Sequence, residues 1–275
     1  MNADEQGPPH SGRSHRARVL LLVAVAALAA AITWSLPPQP QWEAYHDFAD
    51  KRTVLGVSNF LDVVSNLPFA VVGAAGLWWL IRDAAAARRG KSSRLGWQDR
   101  YTFGAMFVGV LLTAAGSGYY HLAPDTARLF WDRLPMAVAL MGLLAGLISE
   151  RIDRNAGAVG LVPLLLLGIA SVVYWRWTER QGAGDLRLYG FAHALPLLAA
   201  LYLALALPAR YLPRRSLLIA LGWYAVAKLL EVLDAWIFSL GGIVSGHTLK
   251  HLAAAMGTYW VLRTIAANAA RPSGA

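Results

Sequence analysis

Apolar positions fall into eight long blocks, separated by short polar or charged stretches. The blocks lie near residues 18–36, 59–82, 101–121, 129–149, 157–175, 188–208, 215–238 and 245–266. Each holds about 18 or more mainly apolar residues, enough for a helix to cross roughly 30 Å of hydrocarbon. A helix satisfies its own backbone hydrogen bonds where no water is at hand, so the expected fold is all-α, a polytopic membrane helix bundle. The expected organisation is a cytoplasmic tail over 1–17, an extra N-terminal helix over 18–36, a seven-helix domain over 42–266 and a cytoplasmic tail over 267–275.

The first block admits two readings. Arg13, Arg16 and Arg18 precede a short apolar core, and Ala29-Ala30-Ala31 has the small-residue character of a signal-peptidase site. A retained helix is preferred, because the apolar run continues through Ile32 and Trp34 to Leu36 before Pro37, Pro38 and Pro40 stop it.

Composition agrees with the pattern. Of 275 residues, 57% are hydrophobic and only 15% charged, against about a quarter charged in a soluble globular domain. The chain has no cysteine, which excludes disulfide scaffolds, thiolate zinc sites, iron–sulfur clusters and cysteine nucleophiles. The net charge of +9 is spread between the apolar blocks rather than gathered in one patch, so no nucleic-acid partner is expected. With the N-terminus inside, inner segments carry sixteen lysines and arginines and outer segments eight, Arg133 and Lys250 among the outer ones. That bias places both termini in the cytoplasm of an integral protein, expected in a bacterial inner membrane.

The candidate chemistry sits at one depth. His121 closes the third block, Asp132 opens the fourth, and His247 and His251 open the eighth, all toward the outer side in this topology. Ionisable residues in a bilayer are costly, which makes their convergence informative. The i, i+4 spacing of His247 and His251 puts both imidazoles on one helix face, as a two-histidine metal site requires. A solvated helix end fits that spacing as well. Ser117 and His121 repeat it, within a Gly116-Ser117-Gly118 stretch that also reads as a close-packing face. Three neutral imidazoles without a thiolate suit Zn2+ in a tetrahedral site with water in the fourth position. Such an ion lowers the pKa of its water; Asp132 can take the proton and Ser117 can support an oxyanion, so the implied chemistry is hydrolysis.

Asp62-Val63-Val64-Ser65-Asn66, Ser117-x-x-x-His121, Asp132 followed by Pro135-Met136, and His247-x-x-x-His251 together resemble the alkaline ceramidases, within the CREST superfamily of seven-helix membrane hydrolases and receptors. The resemblance covers the chain from about Trp42 through the eighth block. It implies zinc on His121, His247 and His251, Asp132 and Ser117 as catalytic residues, and cleavage of the amide of a ceramide-like membrane lipid reached from the leaflet. It also implies a calcium site before the first core helix, with Asp47, Asp50 and Asn59 as ligands. The amide of Asn59 stands where the family has an acid, and Arg52 falls on a likely ligand position, both of which weaken calcium binding.

Two other classes compete: a receptor or scaffold of that superfamily with a structural metal site, and a haem-binding electron carrier. A serine intramembrane protease is weaker, since Ser117 and His121 share one helix. Lys228, Glu231 and Asp234 are expected to form a structural ion pair and its neighbour, and His193 a hydrogen-bonded core residue. Trp78, Trp79, Trp175, Trp177 and Trp236 read as an aromatic belt.

Overall fold

In a computed structural model describing residues 12–269, the chain is helical, with no strand among the described residues beyond one bridge between Val54 and Val57. The helices are α1 (Gly12–Ser35), α2 (Phe60–Val64), α3 (Leu67–Arg88), α4 (Trp97–Leu122), α5 (Thr126–Arg151), α6 (Arg154–Arg180), α7 (Arg187–Ala206), α8 (Arg214–Val232), α9 (Asp234–Ser239) and α10 (Gly246–Ala269). Six helical stretches are long and apolar enough to cross a membrane: His15–Ser35, Phe60–Arg88, Trp97–Leu122, Thr126–Arg151, Arg154–Arg180 and Arg187–Ala206. The helices α8 and α10 are not among them. Each carries polar cargo that lowers its mean apolarity, Lys228 and Glu231 on α8 and His247, Lys250 and His251 on α10.

Local chemistry sets the boundaries. The Asp125 carboxylate accepts from the Arg128 backbone N–H and opens α5; Asp153 does the same for α6 through Ala156. Three residues join α4 to α5 and two join α5 to α6, so these neighbours run antiparallel. The second apolar block is broken: α2 ends at Val64 and α3 restarts at Leu67, with Pro68 in its first turn. The seventh block breaks likewise at Leu233, between α8 and α9.

The helices pack closely where side chains vanish. A Cβ on Gly116 would lie 2.1 Å from the Trp131 carbonyl oxygen, and one on Gly109 2.3 Å from the Ala139 nitrogen. These glycines let α4 and α5 approach within backbone contact, the mode by which helices associate where no hydrophobic drive separates them from lipid. The N-terminal helix lies along α7: the Arg18 guanidinium donates to the Ala206 carbonyl at 2.6 Å and the Tyr202 hydroxyl to the Arg18 carbonyl at 2.8 Å.

The two ends of the bundle treat buried charge differently. Around the start of α4 and the end of α5, Asp99 accepts from Arg154, Ser149 and the Gly96 backbone. Glu150 accepts there from three successive backbone N–H groups, Arg210 to Leu212, and pairs with Arg151. These networks pair most of the buried charge at that end, although Glu150 Oε2 and Arg151 Nε, 3.1 Å apart as an ion pair, make no hydrogen bond. At the other end, the chain between α1 and α2 crosses the bundle, tied by Leu186 N–H to Gln39 at 2.8 Å and by Ala49 N–H to Asp234 at 3.0 Å. Beneath this strap the polar groups remain partly unpaired.

Candidate metal centre

Three imidazoles meet under the strap. His121 comes from the last turn of α4, His247 and His251 from the first two turns of α10, and all three are buried. His121 Nε2 and His247 Nε2 lie 3.2 Å apart, and one nitrogen of each of the three rings lies within 4.8 Å of the others. Two nitrogens bound about 2.0–2.1 Å from a tetrahedral zinc stand roughly 3.3 Å apart, so the closest pair already has that spacing. His121 Nδ1 is buried without a partner. An all-imidazole donor set suits a borderline divalent ion better than a hard, oxygen-seeking cation.

The rings are held from behind. The Ser65 hydroxyl donates to the Asp62 carbonyl at 3.1 Å, so its oxygen is left to accept from His251 Nδ1–H at 2.8 Å. That assignment puts the proton on Nδ1 and points the Nε2 lone pair at the centre, the usual service of a residue behind a metal ligand. Asp62 Oδ1 accepts from the Thr248 hydroxyl at 2.6 Å and the Ser245 hydroxyl at 3.3 Å, fixing the first turn of α10. Asp234 Oδ1 accepts from the His247 backbone N–H at 2.7 Å while its Oδ2 holds the strap at Ala49. Asn59 Nδ2 donates to the His121 carbonyl at 2.8 Å. Phe48 of the strap covers the centre, its ring centroid 4.7 Å from that of His121 and 4.2 Å from that of His247.

Next to the histidines, the Ser117 hydroxyl faces the Asp132 carboxylate across the α4–α5 contact that Gly116 permits. Both residues line, together with His251, a cavity of about 580 Å³ whose deeper wall is apolar, from Phe69, Met106 and Val110 to Leu217 and Val261. The structure brings His121, His247 and His251 together and sets His251, Ser117 and Asp132 on one cavity wall. The expected hydrogen bonding of His193 is also found, to the Tyr224 hydroxyl at 3.0 Å.

Other expectations require correction. Lys250 and Arg133, read as outer flanking cations, are turned into the bundle: the Lys250 ammonium lies 3.2 Å from His247 Nε2 and 2.8 Å from Glu231, and Arg133 is buried on the cavity wall. Lys228 does pair with Glu231, but Glu231 bridges it to Lys250, so the pair belongs to the cavity rim rather than to the bundle interior. Trp175 is fully buried and leaves the aromatic belt. The calcium ligands find other partners. Asp47 is exposed and pairs with Lys51, Arg52 takes both oxygens of Asp50, and Asn59 serves His121. The Arg52 guanidinium holds the Asp50 carboxyl below its usual range, and a calcium ion there would have to compete with that pairing.

Ser65 and Asp62 gained no role from the sequence beyond membership of a motif. Their signal was a carboxylate and a hydroxyl inside an otherwise apolar block, a placement that needs a partner.

Neither models of known families nor curated proteins give a match to this chain. The likeness to alkaline ceramidases therefore stands on the short motifs named above.

Proposed function

We propose that the chain is a metal-dependent membrane hydrolase that cleaves the amide of a ceramide-like N-acyl lipid. The observation that carries this reading is the buried cluster of His121, His247 and His251, of which His251 lines, with Asp132 and Ser117, a cavity that is otherwise largely apolar. In this reading His121, His247 and His251 would hold zinc, which when bound would supply an acidified water and a polarising charge for a carbonyl. Asp132 would serve as the general base and acid, taking a proton from the attacking water and passing it to the leaving amine. Ser117, one turn before His121, donates to the carbonyl oxygen as charge develops on it. The apolar wall takes the acyl chain and excludes water, and Phe48 closes the centre against the aqueous side.

Insertion in a membrane with the site toward the outer face belongs to the same proposal. Six apolar helices support it; α8 and α10, which pack on each other and are joined by the Lys250–Glu231 ion pair, would be the remaining members of a seven-helix domain behind α1. The test is metal content and turnover of a fluorescent ceramide by detergent-purified protein. About one zinc per chain is expected; Asp132→Asn should abolish turnover and keep the metal, and alanine at any of the three histidines should remove both. Full activity in all three histidine variants would end the hydrolase reading. Bound zinc with no turnover of any N-acyl lipid would favour a receptor or scaffold, and a Soret band a haem carrier.

A further inference from the structure

Arg133 follows Asp132 on α5, and only 5% of it is exposed. Its guanidinium lies over the Trp175 ring at 4.2 Å and the Tyr189 ring at 4.6 Å, with Tyr45 of the strap at 5.6 Å. One nitrogen, Nη2, donates to the Gln41 side-chain carbonyl at 2.7 Å, whereas Nη1 has no acceptor. No carboxylate lies within ion-pair distance of it among the described residues. The fold treats its structural buried arginine otherwise: Arg151 pairs with Glu150 and donates to the carbonyls of Leu203, Leu207 and Leu212. A buried guanidinium in an aromatic box with an idle N–H pair is the arrangement of an anion receptor rather than of a strut.

The surrounding charge points the same way. Arg133, Lys228 and Lys250 line the cavity against only Asp132 and Glu231. Lys228 and Lys250 share Glu231, and Asp132 faces Ser117. The cavity therefore keeps an excess of positive charge before any metal is bound, and a divalent ion adds to it. A ceramide headgroup, which is neutral, would answer none of it.

We propose that the lipid taken by this cavity bears an acidic group, a carboxylate or a comparable oxyanion, on the amine side of its amide, and that Arg133 binds that group. This inference rests on the hydrolase reading and narrows its substrate from ceramide to acidic N-acyl lipids of the N-acyl amino acid kind. The idle Nη1 supplies a charge-assisted bond to the acid, the rings of Trp175 and Tyr189 hold the guanidinium in place, and the acyl chain runs along the apolar wall.

The experiment compares N-palmitoylglycine, which carries the acid, with N-palmitoylethanolamine, which is close in size and neutral. Binding to the purified full chain is read from tryptophan fluorescence, and hydrolysis from released palmitate. The wild type is expected to bind the acidic probe about tenfold tighter. Arg133→Gln should bring the ratio close to one, and Arg133→Lys should retain part of the preference. Equal or weaker binding of the acidic probe by wild type overturns the inference, a result that needs no variant and so does not depend on whether Arg133→Gln folds. Turnover of the neutral probe without preference sinks acid recognition and leaves the hydrolase standing. An Arg133-dependent binding preference with turnover of neither probe does the reverse.

Discussion

Ser65→Ala removes one oxygen at the back of the metal centre and nothing else. In the wild type Ser65 is 5% exposed, and its oxygen accepts from His251 Nδ1–H at 2.8 Å while its own proton goes to the Asp62 carbonyl. Alanine leaves a buried ring N–H without an acceptor, which costs about 1–3 kcal/mol. It also frees the ring to turn, so that Nε2 no longer points at the centre in every molecule. Loss of such an orienting partner weakens metal affinity by roughly 10- to 100-fold, or ~1.4–2.7 kcal/mol. The assay is competition for zinc between the purified protein and a chromophoric chelator, wild type beside Ser65→Ala, with thermal unfolding of both metal-free forms to register the structural cost. The metal-free melting point should fall slightly while the zinc affinity falls by the stated factor. Zinc affinity within about twofold of wild type would refute the assignment of Ser65 as the residue that fixes His251.

Asp62→Ala should release Thr248 and Ser245 and disorder the first turn of α10, lowering stability by about 2 kcal/mol and with it the zinc content; an unchanged melting point would show that α10 is held elsewhere. Gly116→Leu should force α4 and α5 apart, because even its Cβ meets the Trp131 carbonyl at 2.1 Å, whereas Gly118→Ala meets nothing within 4 Å and should melt as wild type does. Burial, chiefly, holds the His46 imidazole of the strap below its ordinary range, although Glu43 and Asp125 pull it upward. Its neutral form bonds Tyr120 and Thr126, so its contribution to stability is full above about pH 6.5 and is lost as the pH falls below that value. His46→Gln should flatten that part of the melting-temperature profile between about pH 7 and 5; an identical slope in both proteins would refute it.

The helices could be read from the chain because hydropathy is a local property: a block such as 157–175 needs only its own residues to declare itself. The end of the bundle that gathers His121, Asp132, His247 and His251 could be read too, since counting turns along antiparallel helices sets depth. Depth does not set azimuth, however. Whether Lys250 faces the headgroups or His247, and whether Arg133 is a flanking cation or a cavity wall, depends on how α5 and α10 are rotated, and only the packing of neighbouring helices decides that. The same holds for Asp50, whose charge reads as a metal ligand until Arg52, two residues on, takes both its oxygens. Ser65 is the clearest case, for its partner His251 lies 186 residues away in the chain. A hydroxyl at a helix break is chemically mute until tertiary contact supplies the imidazole it must orient, so the candidate ligands were visible in the amino-acid order while the grip behind them belongs to the fold alone.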